Sequence, residues 1–406
     1  MSSGLKIHRS HTKCFCFAII IFVILIILFA AGWQFLAQKD NKNKVANLPA
    51  ATTKNQPPKI ISAQSNWLFM GDIFFGRYIN DWSQASPLKT AYPFQNLQTG
   101  FSRNDYDAWF ANFECPAVGG LNISSAQMDA TLTFNCDPSY LSQVAKYYTA
   151  VSLGNNHSGN QGASGFTETQ QNLAKNNIQY FGSYDPADLA NDCNVIIVNV
   201  REKLSDGSEK TMPLPFGFCG YDGVYSIPTD AEISQISTFA KVLPTFAMPH
   251  MGVEYTPAPN QYQIATYHKM IDAGAEMVIG NHPHWVQTTE DYNGKLIVYS
   301  MGNFIFDQQD DSEVTRSALI NVDVTVQNTD AVAKWSAIAN QCENNFAKCS
   351  ELAAAQNLPK LELSYKFNVL GSDSANKLTK PATADELSAI KSRMNWDITM
   401  SALRQN

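Results

Sequence analysis

Residues 246–308 read FAMPHMGVEYTPAPNQYQIATYHKMIDAGAEMVIGNHPHWVQTTEDYNGKLIVYSMGNFIFDQ, and this stretch decides the fold class. His250 follows an apolar run at residues 242–248, and His282 and His284 follow a shorter run at 277–279. Short apolar runs that end at Gly or Pro are typical of buried strands in an α/β sheet. Ligands of such sheets bind at the loops that leave the carboxyl ends of the strands. Three imidazoles at strand ends therefore predict a metal site.

Three more apolar runs upstream end in polar side chains: residues 67–70 before Asp72, residues 109–111 before Asn112 and Glu114, and residues 150–153 before Asn156 and His157. Asp and Glu offer oxygen ligands, His offers nitrogen, and Asn offers an amide oxygen. Five strand ends with such groups form a pattern that chance rarely produces. The pattern predicts that Asp72 and Glu114 join the three histidines at one metal centre.

A set of short motifs runs through the middle of the chain: GD at 71–72 with Arg77, NFE at 112–114, GNNH at 154–157, HMGVEY at 250–255, GNHPH at 280–284 and YSMGNF at 299–304. In this order they resemble the CapA-type poly-γ-glutamate capsule synthesis proteins, over roughly residues 65–310. The resemblance implies a metallophosphatase-like α/β fold, a four-layer αββα sandwich with a metal centre at one sheet edge. It also implies a role in the biosynthesis or export of an anionic capsule polymer.

The resemblance also implies roles for single residues. In metallophosphatases the Asn of an Asn-His pair binds the metal, and the His acts as a general acid or stabilises developing charge. We therefore expect Asn156 to be a ligand and His157 to be catalytic, because a nearby imidazole can protonate a leaving oxygen. Arg77 is expected to clamp an anionic phosphate or carboxylate, and a surface salt bridge is the alternative. The expected metal ligands are then Asp72, Glu114, Asn156, His250, His282 and His284.

This chain departs from the pattern of metallophosphatases and of the CapA-type family in several places, including Asn160, near which the family usually has Asp. Phe74 stands where an Asp-x-His motif usually has His, and Asn281 stands where a second His is more common. Because these donors are lost, the number of metal ions bound per chain is left open between one and two. The same losses also leave catalysis open between a metal-dependent hydrolase or transferase and a non-catalytic, polymer-binding or scaffold subunit. Histidine ligands favour Mn, Zn or Fe over Mg alone.

Composition limits the class of protein. The chain has 406 residues, a formal net charge of −7 and 16% charged residues. This length is enough for one large domain with a sizeable core. We expect no nucleic-acid partner, because no basic cluster or stripe is visible.

Residues 14–38 carry no charge, and about 20 apolar residues suffice to cross a bilayer as a helix. We expect an uncleaved transmembrane anchor, with a cleaved signal peptide or a buried core helix as alternatives. The expected order is a cytoplasmic N-terminus (1–13), the anchor (14–38), a linker (39–64), the CapA-like domain (65–310) and a C-terminal extension packing on the core (311–406). Lysines flank the span on both sides, so charge does not decide its orientation. We expect a single-pass protein of the cytoplasmic membrane whose large domain faces outside or into the periplasm. Its expected partners are other capsule synthesis or export subunits.

Six cysteines lie outside the predicted span, and an even number permits full pairing. Cys342 and Cys349 are close in sequence and are expected to close a polar loop. The simplest remaining pairs are Cys115 with Cys136 and Cys193 with Cys219. Six free buried thiols in a reducing compartment are the alternative.

Periodicity predicts further elements. Helices are expected at residues 162–176 and 260–273, the second capped by Gly274. The remaining predictions are a strand pair at 195–200 and 214–218, strands at 318–326 and 361–369, and a closing helix at 384–400.

Overall fold

The computed structural model describes residues 58–404. The anchor predicted at residues 14–38 lies outside this range. Within residues 58–404 no helix combines the length and the apolar character that crossing a membrane requires. These residues form a mixed α/β fold rich in sheet, which confirms the predicted fold class at that level.

The strands are β1 (Ile60–Ile73), β2 (Ala108–Phe113), β3 (Ala150–Ser152), β4 (Gln179–Phe181), β5 (Cys193–Leu204), β6 (Glu209–Asp222), β7 (Thr245–His250), β8 (Val278–Ile279), β9 (Thr289–Tyr292), β10 (Lys295–Val298), β11 (Asn303–Ile305), β12 (Arg316–Val326), β13 (Leu363–Asp373) and β14 (Lys380–Pro381). The first strand begins at Ile60, inside the segment expected to be linker.

The α-helices are α1 (Arg77–Ala85), α2 (Leu97–Gly100), α3 (Ser125–Thr131), α4 (Leu141–Tyr147), α5 (Gly162–Lys175), α6 (Leu189–Asp192), α7 (Asp230–Ala240), α8 (Gln261–Asp272), α9 (Ser312–Thr315), α10 (Val332–Cys342), α11 (Phe346–Ala355), α12 (Ala384–Arg393) and α13 (Trp396–Leu403). Short 3₁₀ turns occur at Lys89–Phe94, Arg103–Asp105, Pro138–Tyr140, Thr329–Ala331 and Ala375–Lys377.

Strand β1 is the hub of the sheet, because it changes partners along its length. Its first residues pair antiparallel with β5, and residues 64–69 pair antiparallel with β12. Its later residues pair parallel with β2, and its end pairs parallel with β11. The main strand order is β14-β13-β12-β1-β5-β6-β7-β8-β10-β9, and β2, β3 and β4 continue from β1.

Alternate residues of β1 face two different hydrophobic cores. Trp67 and Phe69 pack in a core with β5, β6 and β7, whereas Leu68 and Met70 pack in a core with β2 and β3. Successive strand residues point to opposite faces, so a strand with apolar residues at every position is buried on both sides. This explains why the run WLFM at residues 67–70 is continuous rather than alternating.

One edge of the sheet collects the strand ends expected to bind a metal. Strands β1, β2 and β3 are mutually parallel, as are β6, β7 and β8. Because β5 is antiparallel to both β1 and β6, the two groups run in the same direction. The carboxyl ends of β1, β2, β3, β7 and β8 therefore lie at the same edge.

The helix predictions are confirmed for two helices in the middle of the chain and are wrong near its end. Helices α5 and α8 match the two predicted spans, and the Asn260 side chain caps α8 by accepting from the backbone N–H of Gln263. Gly274 follows α8 with a φ of 107°, as its capping role requires. The predicted closing helix is instead two helices, because Asn395 adopts a left-handed conformation between them.

The described residues contain three disulfides, and these are the three pairs expected from the sequence. They join Cys115 to Cys136, Cys193 to Cys219 and Cys342 to Cys349, which are 21, 26 and 7 residues apart. The third does not close a polar loop as expected. Cys342 ends α10 and Cys349 lies within α11, so this disulfide joins two helices across a short turn.

Candidate metal centre

Asp72, Glu114 and His250 meet at the shared strand edge. One ligand atom from each residue lies within 4.8 Å of the others, and each residue is at most 1% exposed. Asp72 is the penultimate residue of β1, Glu114 directly follows β2, and His250 ends β7. Three of the six predicted ligands thus form one buried oxygen-and-nitrogen cluster.

A close backbone approach fixes the position of Asp72. A Cβ atom on the preceding Gly71 would lie 1.7 Å from the carbonyl oxygen of Gly302, so only glycine fits there. The backbone N–H of Asp72 donates to the same carbonyl at 3.1 Å. The GD motif therefore couples β1 to the loop before β11.

His282 and His284 lie beside the cluster on an unusual backbone. Both have positive φ, 95° and 57°, in the loop that leaves β8. Nδ1 of His282 lies 3.2 Å from Nε2 of His250. His284 lies 3.6 Å from Asp72 through Nδ1 and 4.0 Å from Glu114 through Nε2. Non-glycine residues rarely adopt this region, and such backbone strain clusters at functional sites.

A buried amide network orients His250. Nδ2 of Asn155 donates to Oδ1 of Asn112 at 3.1 Å and to the Phe113 carbonyl at 3.0 Å. The amide nitrogen of Asn112 must then face Asp72, to which it donates at 2.8 Å, and Nδ1 of His250 at 3.0 Å. These contacts place the Asn112 amide beside Nδ1 of His250 and hold the ring at the cluster.

Two further imidazoles present unprotonated nitrogens to Glu114. Oδ1 of Asn160 accepts from the backbone N–H of Phe134, so the Nδ1–H of His157 donates to it at 3.0 Å. Nδ2 of Asn303 donates to the Val314 carbonyl, so its Oδ1 accepts from Nδ1–H of His284 at 2.8 Å. The lone pair on Nε2 of each ring is left on the side of Oε1 of Glu114, at 3.9 and 4.0 Å respectively.

Glu114 is the strongest sign that a cation fits here. Both of its carboxylate oxygens are buried and have no hydrogen-bond partner, an arrangement that folded proteins avoid. Burial, reinforced by the Asp72 carboxylate, raises the pKa of Glu114 well above its usual value. Acceptor atoms converge on this point from three side chains, and a divalent cation is the partner that satisfies such a set.

Three of the imidazoles, those of His157, His250 and His282, are neutral at pH 7 because their pKa values are lowered. Burial lowers the pKa of His157 to about 4 and that of His282 to about 3. Burial and the neighbouring imidazoles hold the pKa of His250 well below its usual value. Metal binding requires neutral imidazole, so this environment favours the ligand form.

Asn156 and Asn281 carry buried amide atoms without partners. Oδ1 of Asn156 lacks a hydrogen-bond partner among the described residues, as do both amide atoms of Asn281. Asn156 stands between Asn155 and His157, and the backbone of Asn281 bonds to both neighbours of His250. Asn156 retains the free oxygen expected of a ligand, and Asn281 is a candidate that sequence analysis did not assign.

Arg77 forms a buried ion pair rather than a surface one. Its Nε and Nη2 donate to the two carboxylate oxygens of Asp307 at 2.9 and 2.7 Å, and Nη1 lies 3.5 Å from Asp129. The guanidinium also lies 4.7 Å from the centre of the Phe134 ring, which in turn stacks on His157. Arg77 is therefore anchored beside the cluster, and its predicted role as an anion clamp stays a prediction.

Sequence analysis missed residues that act through others. Asn155 orients the Asn112 amide beside His250, Asn303 accepts from His284, and Asp307 holds Arg77. Asn155 and Asn303 lie inside the quoted motifs, so their position next to predicted ligands was the available signal. Asp307 lies after a strand end in FIFDQ, where a polar residue following an apolar run could have been singled out.

Comparison with known proteins agrees with these motifs. The family model described as bacterial capsule synthesis protein PGA_cap matches residues 66–206 and 221–308, which include every residue of the cluster. The PGA biosynthesis protein CapA of Bacillus subtilis (strain 168) is 29% identical over 297 residues, covering 70% of this chain and 71% of that protein. The capsule biosynthesis protein CapA of Bacillus anthracis is 26% identical over 298 residues, covering 72% and 68% respectively.

Proposed function

The chain belongs to the bacterial capsule synthesis protein family PGA_cap, and from this premise we propose that it acts in the biosynthesis or export of an anionic capsule polymer of poly-γ-glutamate type. The two Bacillus relatives carry capsule or PGA biosynthesis in their names, which supports this role. We propose that the work is done at a divalent-metal centre. The observation that carries the proposal is the buried Glu114 carboxylate, unpartnered beside Asp72 and His250.

Asp72, Glu114 and His250 would hold the metal ion, and His282, His284 and Asn156 stand as further ligands. This mixed oxygen and imidazole set favours Mn, Zn or Fe over Mg alone. We propose one ion at the described cluster. The binding of a second ion is left open, because Phe74 offers no donor atom. The centre of its ring lies 4.9 Å from that of Phe134 and 5.0 Å from that of Phe306.

The enzyme hypothesis is a metal-dependent hydrolase or transferase of metallophosphoesterase type. When bound, the metal would supply Lewis-acid polarisation of a phosphoryl or carbonyl oxygen. His157 would accept a proton in its neutral form. A bound anion would favour the protonated imidazole, and His157 would then donate to the leaving oxygen. Arg77 would add positive charge close to that anion.

The alternative is a non-catalytic subunit that binds polymer or scaffolds an envelope complex. The replacement of donor positions by Phe74 and Asn281 favours it. It predicts polymer binding that survives removal of the metal, whereas the enzyme hypothesis predicts turnover that depends on the metal.

The finer architecture is also part of the proposal. We propose that residues 65–310 are a metallophosphatase-like αββα sandwich followed by a C-terminal extension, and that residues 14–38 anchor it in the cytoplasmic membrane after a short cytoplasmic segment. Three disulfides support an oxidising compartment for the large domain, outside the cell or in the periplasm. Other capsule synthesis or export subunits are the expected partners.

The deciding experiment is metal analysis of the full chain purified without chelator. The variant is His282→Ala/His284→Ala, and His268→Ala is the control, because it removes an imidazole that bonds Glu290 outside the cluster. We expect about one ion per chain in the parent and the control and a loss of at least tenfold in the double variant. A folded parent that takes up no Mn or Zn would refute the metal centre and leave the binding-module alternative.

A further inference from the structure

The Arg77 guanidinium has one nitrogen, Nη1, that is not bonded to the buried Asp307 carboxylate. Asp307 accepts from Nε and Nη2, which leaves the two N–H groups of Nη1. The Asp129 carboxylate faces Nη1 at 3.5 Å, a distance longer than that of an N–H···O hydrogen bond. The Asp129 side chain is 54% exposed, so this second ion pair is loose. Nη1 is therefore a point at which another anion can replace Asp129.

This loose ion pair lies at the border of the metal centre. Cζ of Arg77 lies 4.7 Å from the centre of the Phe134 ring, and the centre of the His157 ring lies 4.1 Å from the same point. Nε2 of His157 in turn lies 3.9 Å from Glu114. One aromatic ring thus separates the guanidinium from the imidazole that faces the cluster. An anion that replaces Asp129 would lie beside the proposed reaction centre.

Asp129 lies on a segment of chain that is fixed at its two ends. Just inside the 115–136 disulfide, the backbone N–H of Val118 donates to Oδ1 of Asn135 at 3.0 Å. Nδ2 of Asn135 donates back to the Val118 carbonyl at 2.9 Å. Between these ends, helix α3 carries Asp129 and has Met128 as its buried apolar residue. The helix is therefore held by few contacts compared with the ends of the segment.

Residues 119–133, which we call the flap, have backbone and space that permit a shift. At one end Gly120 has a φ of 74°, and a Cβ atom there would meet no atom within 4 Å. At the other end Leu132 also has a left-handed conformation, with a φ of 52°. A cavity of about 160 Å³ lies between the flap and α1, with Asn80 and Met128 among its walls. The flap can therefore move without disturbing the sheet.

We propose that Asp129 is a gate residue, which pairs with Nη1 of Arg77 in the free protein and leaves it when an oxyanion of the substrate binds there. This deepens the proposed function and rests on it for the substrate being anionic. The Asp129 carboxylate competes with the substrate inside the protein. An oxyanion that is also held at the metal centre outcompetes it, whereas a free monovalent anion in solution does so poorly. Asp129 thereby determines which anions are accepted.

The test uses the purified full chain, with its metal and after chelation, and inorganic phosphate as the probe. Asp129→Asn removes the competing charge, so the Kd for phosphate measured by calorimetry should fall about threefold, as expected for one loose, exposed ion pair. Asp81→Asn is the matched control, because it removes an exposed carboxylate from the same helix as Arg77. It should leave the Kd unchanged. Acetate titrated in parallel distinguishes a carboxylate from a phosphoryl group as the preferred anion.

Hydrogen exchange tests whether the flap itself responds. Saturating phosphate should speed amide exchange in residues 125–131 of the parent about threefold, because α3 loses its contact with Arg77. In Asp129→Asn this exchange should already be fast, and phosphate should change it little. A carboxylate that only adds negative charge near the site would alter the Kd without altering exchange in α3.

The gate would be refuted by an unchanged phosphate Kd in Asp129→Asn, by an equal change in Asp81→Asn, or by phosphate binding that leaves exchange in α3 unaltered. A parent and a variant that both fail to bind phosphate would refute it too. Metal content measured on the same samples separates the two proposals. Metal uptake with an unchanged phosphate Kd in the variant would keep the metal centre and refute the gate. Tighter phosphate binding by Asp129→Asn in a chain that takes up no metal would do the reverse.

Discussion

Glu114 shows how one side chain links stability to function. Its two oxygens are buried among histidines that offer lone pairs, so the carboxylate is disfavoured unless a cation or a proton joins it. The folded chain without metal therefore keeps the proton that the unfolded chain releases near pH 4.5. Since the pKa of Glu114 is raised in the folded state, the contribution of this group to the unfolding free energy is fully present below about pH 4.5. That contribution is lost as the pH rises through the folded pKa.

Glu114→Gln should separate these effects. After chelation, we expect the variant to be more stable than the parent at pH 8, by about 1.4 kcal/mol for each unit of the raised pKa, with a smaller difference at pH 5. Its metal content should fall at least tenfold. Urea unfolding at both pH values and metal analysis provide the measurements, with the exposed Glu209→Gln as control. A variant less stable than the parent at pH 8 would show that Glu114 is already paired.

Arg77 and Asp307 allow a second residue-scale prediction. Each is at most 7% exposed, so Asp307→Asn leaves a buried guanidinium short of its counter-charge and should cost about 3 kcal/mol of unfolding free energy. Asp129 is the other partner of Arg77, and the Asp129 side chain is 54% exposed. Asp129→Asn should therefore cost less than about 1 kcal/mol of unfolding free energy. Denaturant unfolding compares the two variants, and equal costs would contradict the unequal burial.

The residues of the cluster were predictable because each lies at the carboxyl end of an apolar strand. Asp72, Glu114 and His250 show this, since a strand end fixes both the position and the direction of the next side chain. The residues that orient the histidines were harder to predict from the sequence. The role of Asn303, for example, depends on a hydrogen bond to a histidine 19 residues away in sequence. The Arg77–Asp307 pair spans 230 residues, and no local pattern encodes such a pairing.

At the scale of elements, prediction worked best where one period dominates. Helix α8 has apolar positions at helical spacing and an Asn cap, and its bounds were close to those expected. Strands β5 and β6 were predicted shorter than they are, because their outer residues are polar and are held by antiparallel pairing with each other. The break between α12 and α13 was missed, because a left-handed Asn has no periodic signature.

The disulfide that follows Glu114 should matter more for metal binding than the one between α10 and α11. Cys115→Ala/Cys136→Ala opens a loop of 21 residues and should cost about 3 kcal/mol of stability. Because Cys115 is the neighbour of Glu114, we also expect the metal Kd to rise. Cys342→Ala/Cys349→Ala opens 7 residues and should cost about 2 kcal/mol without changing the metal Kd. Calorimetric metal titration and thermal unfolding distinguish these outcomes.

At the scale of the whole molecule, the proposed anchor makes a prediction about location. The full chain should sediment with membranes, and a chain that begins at residue 58 should remain in the supernatant with its metal content intact. Ile24→Lys places a charge inside the uncharged span at a cost of about 3 kcal/mol and should weaken insertion. If expression of the full chain gives a soluble product whose measured mass shows that the first residues are missing, the segment is a cleaved signal peptide instead.

The many partners of β1 set the order in which this protein can fold. Residues 64–69 pair with β12, and the Gln64–Thr325 contact spans 261 residues of chain. A chain made from its amino end therefore produces its central strand first and completes it among the last, after most of the sequence has emerged. Such a high contact order slows folding, and the waiting strand has unsatisfied edges that invite aggregation. Nascent chains should consequently depend on a chaperone that shields residues 60–73 until the rest of the sheet arrives.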